Sequence, residues 1–141
     1  MRKLIFIIIL ITIVPTYLFS QNKEMKKLFM EYENVSGFDL SIGTSDADFD
    51  FDFDSGFFEL LNNIKDIYIL NYKGNINNAK YMKFKNKFDK IMSKSNYSPI
   101  IDISSDGVFK ILIQKDSNDK ASSIVMINEN DESAMYLVAV N

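Results

Sequence analysis

Cysteine, histidine and tryptophan are all missing from this chain of 141 residues, and its one arginine is Arg2. Without cysteine there is no disulfide to staple the fold and no thiol nucleophile, so packing alone has to hold the domain together. Without histidine the usual general base at neutral pH is gone, and so is the commonest transition-metal ligand. Any active site would have to be assembled from carboxylates, lysine, tyrosine and hydroxyls. The scarcity of arginine in an acidic chain, net charge −3, also argues against nucleic acid as a partner. Phosphate neutralisation needs clustered cations, and base reading favours arginine.

Long hydrophobic runs are scarce too, and the longest stands at the start. Arg2 and Lys3 precede an almost purely apolar stretch from Leu4 to Val14, Pro15 ends it, and Leu18, Phe19 and Ser20 lead into Gln21. This is the pattern of a secretory signal peptide. The stretch falls short of the ~20 residues that a spanning helix needs. The expectation is a leader at residues 1–20 and one periplasmic or secreted domain at 21–141, with no membrane anchor kept after cleavage. A lipid anchor at the new N-terminus would require a cysteine. The 121 residues that remain, 141 less 20, are near the commonest size for a single domain. They carry fourteen lysines and no arginine against nineteen carboxylates, a net charge of −5.

Hydrophobic periodicity outlines the elements. Met25, Leu28, Phe29 and Tyr32 fall at i, i+3, i+4 and i+7 and predict an amphipathic helix. Phe38, Leu40 and Ile42 alternate with Asp39 and Ser41, which predicts a half-buried strand over Gly37 to Ile42. Phe57, Leu60, Leu61 and Ile64 repeat the helical spacing, and the run from Ile67 to Tyr72 predicts an inner strand. Asn75 to Ser95 is the longest periodic segment, with Tyr81, Phe84, Phe88, Ile91 and Met92 along one face of a helix. Four strand-like runs follow, Ile100–Ser104, Val108–Gln114, Ser122–Ile127 and Ala134–Val140, joined by short turn-rich connections.

The predicted fold class is α+β. It is a two-layer sandwich with a mixed sheet, helices mainly on one face and a C-terminal antiparallel meander. Parallel neighbours are expected wherever a strand, a helix and a strand follow in order. Leu112, Val125, Ile127, Tyr136 and Val138 further suggest strands apolar on both sides. These five are assigned to a face without helices, which would have to meet the first helix, another chain or a ligand.

The leader's Phe-small-Gln junction, the opening "MKKLFMEYENVSGFDLSI", the segment "ELLNNIKDIYILNY", the lysine-rich helix and the closing "FKILIQKDSNDKASSIVMINENDESAMYLVAV" resemble the Bacteroidota domain-of-unknown-function family 4252. The resemblance covers essentially the whole chain after the leader. It implies an exported protein of uncharacterised function and brings no established site residues. One stretch departs from the family's pattern, "SDADFDFDFDSGFF".

In that stretch Asp46, Asp48, Asp50, Asp52 and Asp54 alternate with Ala47, Phe49, Phe51 and Phe53. In an extended strand the carboxylates would share one face and repel, a load that a cation or full solvation relieves. Calcium is the natural ion outside cells. Read as a calcium loop, Asp48, Asp50, Asp52 and Glu59 take positions one, three, five and twelve, with Asp54 as a further oxygen donor. Phe53 occupies the position where the template needs glycine, and starting at Asp50 fails as well. A solvated acidic loop and an early start of the second helix, through Phe49, Phe53 and Phe57, compete with the calcium reading.

Weaker motifs are a single Asp54-Ser55-Gly56, the spacing of Ser117 and Lys120, and a lysine row at Lys80, Lys83, Lys87, Lys90 and Lys94. The first would need a second copy to form an acid dyad, the second lacks its companion motifs, and the third reads as a solvated helix face. The expected function is therefore a non-enzymatic, exported protein without a cofactor, binding a protein partner or serving an accessory cell-envelope role. The alternatives are a calcium-binding module over Asp46 to Glu59 and a carboxylate-based hydrolase, which would need a pocket joining acids such as Asp102 and Asp106.

Overall fold

The computed structural model describes residues 22–44, 65–119 and 121–140. A helix, α1, covers residues 22–31 and turns Met25, Leu28, Phe29 and the following Tyr32 inward, all buried. Strand β1 spans Phe38–Thr44, β2 Asp66–Lys73, and helix α2 Ala79–Ser93. Asn78 caps α2 by accepting the Lys80 N–H at 2.9 Å, which satisfies one of the orphan donors at the helix start. Strands β3 (Ser98–Ile103), β4 (Val108–Lys115), β5 (Ala121–Glu129) and β6 (Ser133–Val140) follow. The predicted second helix around Phe57 to Ile64 lies outside the described residues.

The six strands form one open sheet in the order β1-β2-β6-β5-β4-β3. The α+β expectation and the C-terminal meander hold, while the parallel neighbours of a mixed sheet do not. All five neighbouring pairs are antiparallel. The reason lies in where the hairpins sit. Four antiparallel pairings separate β2 from β3, so the two strands run the same way, as a crossover through α2 requires. The meander β4-β5-β6 fills the space between them, so the crossover gives a common direction without adjacency. The last strand, β6, lies between β2 and β5, with Asp66 opposite Val140 at one end and Lys73 opposite Ser133 at the other.

Alternation along the strands sorts the core into two faces. One packs against both helices. There Tyr68, Leu70, Tyr72, Val125, Tyr136 and Val138 meet Met25, Phe29 and Tyr32, and also Tyr81, Phe84 and Phe88 of α2. Aromatic rings interlock across this layer. Phe84 stands edge-on to Tyr136 at 4.9 Å, and Tyr81 stacks on Tyr72 at 4.7 Å. The opposite face gathers Ile67, Ile69, Ile111, Ile124, Met126, Leu137 and Ala139, each at most 6 % exposed.

The strands are thus apolar on both sides, as predicted, but the face assignment needs correction. Leu112, Val125, Ile127, Tyr136 and Val138 all belong to the helix-covered side, Leu112 and Ile127 as partly buried members. Where both faces of a strand are apolar, period-two alternation has no polar phase to reveal which set meets the helices.

Candidate functional site

The one cluster of buried ionisable groups among the described residues forms where the first turns of α2 cross the end of β5. The sheet's alternation carries Val125 and Ile127 toward the helices, and two residues further the same phase turns Glu129 inward, leaving it 6 % exposed. Tyr81, fully buried on α2, donates its phenol O–H to Glu129 Oε2. Tyr136 on β6 completes the relay, its hydroxyl 2.8 Å from that of Tyr81. Lys85, one helical turn beyond Tyr81, reaches Glu129 Oε1 at 3.2 Å from a partly exposed position.

Burial pushes both phenols well above the ordinary tyrosine range, and the negative charge of Glu129 adds to the effect. They are therefore neutral hydrogen-bonding groups at physiological pH. Asp89, a further turn along α2, has its carboxyl raised by desolvation against the pull of Lys85 and Lys110, although the residue as a whole is exposed.

A second tyrosine caps the same strand at its other end. Tyr97, just after α2, places its hydroxyl 2.5 Å from that of Ser123, which is fully buried. Burial raises this phenol as well, against the hydrogen bond from Ser123. Both polar ends of the inward face of β5 are therefore closed by tyrosines from the helical layer. No buried side-chain nitrogen or oxygen among the described residues lacks a partner. In the Glu129 cluster each carboxylate oxygen is engaged, one by a phenol and one by an ammonium. The arrangement ties α2 to β5 and β6 and fixes the helix's rotation and height on the sheet.

A shallow groove of about 580 Å³ opens at the end of the sheet where β1, β2, β6 and β5 come together. Asp39, Asn71, Lys73, Asn128 and Met135 are among its walls. Asn130 beside them is committed to its own turn, accepting the N–H groups of Glu132 and Ser133 at 2.9 and 2.8 Å.

The predicted site residues are placed as follows. Asp48, Asp50, Asp52, Asp54 and Glu59, the calcium candidates, lie outside the described residues, as does the Asp54-Ser55-Gly56 motif. Among the described residues no group of acidic side chains is arranged to hold a metal ion. Asp102 is exposed on the edge strand β3 opposite Lys110, and Asp106 is exposed in the β3–β4 turn. Neither lines the groove. Ser117 sits in the exposed β4–β5 turn, and Lys120 is outside the described residues.

The lysine row is on the outer side of α2, where Lys80, Lys83, Lys87, Lys90 and Lys94 are all exposed. Lys87 pairs with Glu31 of the α1 region at 3.3 Å. Sequence reasoning missed Glu129 because it ended the strand run at Ile127 and left the residue in the connection to Ala134. Extending the two-residue alternation of Val125 and Ile127 by one step would have flagged a carboxylate aimed into the core.

Among the described residues no helix is long and apolar enough to cross a membrane. The family model for Domain of unknown function (DUF4252) matches residues 19–141. No curated protein and no solved structure matches the chain.

Proposed function

From the premise that this chain belongs to the domain-of-unknown-function family 4252 over residues 19–141, we propose that it is an exported, non-enzymatic domain. Its work in this reading is to dock a protein partner with an acidic surface, in an accessory cell-envelope role. The observation that carries the reading is the sorting of charge. The ionisable cluster at Glu129 is consumed within the fold, whereas α2 turns Lys80, Lys83, Lys87 and Lys90 to solvent in a chain whose net charge is −3. Lys80, Lys83 and Lys90 have no carboxylate within ion-pair distance among the described residues. A one-sided cationic helix steers an acidic surface toward itself and sets its orientation, with rate effects that fade as salt is added.

Export is part of the same reading and rests on Arg2, Lys3 and the apolar run to Val14. N-terminal sequencing of the protein recovered from the envelope or medium should begin at Gln21. An intact Met1 would remove the export element.

The docking reading is tested by pull-down of the tagged protein from its native envelope, in parallel with a Lys83→Glu/Lys90→Glu variant. A specific partner should come down with the parent chain and be lost at least tenfold with the charge-reversed one, and the parent's capture should weaken in high salt. Recovery of the bait alone, or equal capture by both chains, overturns it.

A further inference from the structure

Among the described residues the sheet has two edges, β1 and β3, and they are built differently, a difference that points to an assembly. Edge strands expose unpaired main-chain groups, which proteins blunt with proline, bulges and charge. Strand β3 has such devices, with Pro99 inside it, a register shift between Pro99 and Ile101, and Asp102. Strand β1 likewise carries one charge, Asp39, but has neither proline nor bulge, and its seven residues pair with β2 without interruption.

The phase of its hydrogen bonds is fixed by the Lys73 N–H, which donates to the Gly37 carbonyl at 2.9 Å. In an antiparallel ladder this alternation turns the main-chain groups of residues 39, 41 and 43 toward β2. Those of Leu40, Ile42 and Thr44, with the Phe38 carbonyl, are turned outward. Ile42, on this edge, is 54 % exposed.

We propose that the β1 edge pairs with β1 of a second copy of this chain, antiparallel and centred on Ser41, joining two six-stranded sheets into one. This register alone aligns all seven residues. Leu40 of each copy exchanges both main-chain bonds with Ile42 of the other, and each Phe38 carbonyl accepts from the opposite Thr44 N–H. Leu40 and Ile42 cover one another on the helix side. Asp39 faces Gly43, so no like charges meet across the pair. The strand is self-complementary, as a two-fold interface requires. The pairing is independent of the lysine face of α2 and stands or falls apart from it.

Since the chain has no cysteine, a Ser41→Cys variant carries a single thiol. In the proposed pair Ser41 lies opposite its own copy at a non-hydrogen-bonded position, with Cα atoms about 4.5 Å apart, within disulfide range. Mild oxidation should convert this variant to a cross-linked dimer, whereas Thr44→Cys, which faces Phe38, should cross-link at least tenfold less. Sedimentation of the parent chain should show a monomer–dimer equilibrium. Ile42→Lys should raise its dissociation constant at least tenfold with unchanged circular dichroism, while Ile103→Lys on the opposite edge leaves it alone. A parent chain that stays monomeric at about 1 mM overturns the proposal. So does association lost through Ile103→Lys rather than Ile42→Lys, or a Ser41→Cys thiol that stays reduced.

Discussion

Replacing Tyr81 with phenylalanine removes one oxygen from the middle of the buried relay and almost nothing else. The ring keeps its place against Tyr72, 4.7 Å away, and its full burial. What disappears is the donor to Glu129 Oε2 and the partner of the Tyr136 hydroxyl. A hydrogen bond to a charged group contributes about 1.5–3 kcal/mol, and a neutral one about 1 kcal/mol. Glu129 retains Lys85 at 3.2 Å on its other oxygen, so the carboxylate is not stranded entirely. The expected loss is about 2–4 kcal/mol at pH 7.

For a domain of this size that lowers Tm by roughly 8–15 °C. In urea unfolding followed by circular dichroism the midpoint should fall while the slope stays the same, since the surface exposed on unfolding is unchanged. Tyr136→Phe, which breaks the phenol–phenol bond and a lesser contact with Glu129, should cost about 1–2 kcal/mol. Adding Glu129→Leu to Tyr81→Phe should recover part of the loss, because it removes the under-partnered carboxylate and frees Lys85 to reach solvent. A Tyr81→Phe loss below about 0.5 kcal/mol, or one no larger than that of Tyr136→Phe, would refute the account of the cluster as an anchor for α2.

Three other outcomes follow from the geometry. Tyr81, Tyr97 and Tyr136 all have phenols raised by burial. The unfolded chain gives up these protons near pH 10 while the folded one keeps them, so stability is full below that pH and falls as pH rises above it. Tyr81 and Tyr136, the two phenols raised furthest, give a slope of up to about 3 kcal/mol per pH unit; melting curves between pH 8 and 11 check it, and a flat profile contradicts it. Gly107 has φ of +118°, and a Cβ there would run into the Glu129 carbonyl. Gly107→Ala should therefore cost about 1–3 kcal/mol, whereas Ser105→Ala in the same turn should be neutral in the same urea assay. Lys83→Glu/Lys90→Glu, on the exposed side of α2, should leave Tm within about 2 °C of the parent, since surface changes of this kind shift stability little. A larger drop would mean that these lysines hold the fold rather than face a partner.

Where one face was polar, periodicity placed the elements well. The spacing of Tyr81, Phe84 and Phe88 located α2, and the alternation around Leu40 located β1, because each pattern contrasts apolar with charged positions. It failed where that contrast vanished. The strands from Ile111 to Leu137 are apolar on both sides, so nothing local in them says which side meets the helices. Adjacency was equally hidden. The crossover β2-α2-β3 has the directions that local rules demand, but which strand lies beside which is decided by the hairpins that come later in the chain. Of the candidate site, the lysine row was visible as composition. Glu129 was masked by its turn-rich neighbours, and its tyrosine partners read simply as core aromatics. The acidic run from Asp46 to Asp54, the most conspicuous feature of the sequence, lies outside the described residues.

The placement of β6 also bears on when this protein can become itself. The sixth strand is the bridge between β1-β2 and β5-β4-β3, and Val140 closes against Asp66. A chain growing from its N-terminus can form either part, but it cannot join them until β6 is present. Folding of the whole sheet therefore needs residues 133–140, and their loss would leave two fragments of sheet rather than a shortened domain. High sequence separation at the centre makes the search slow.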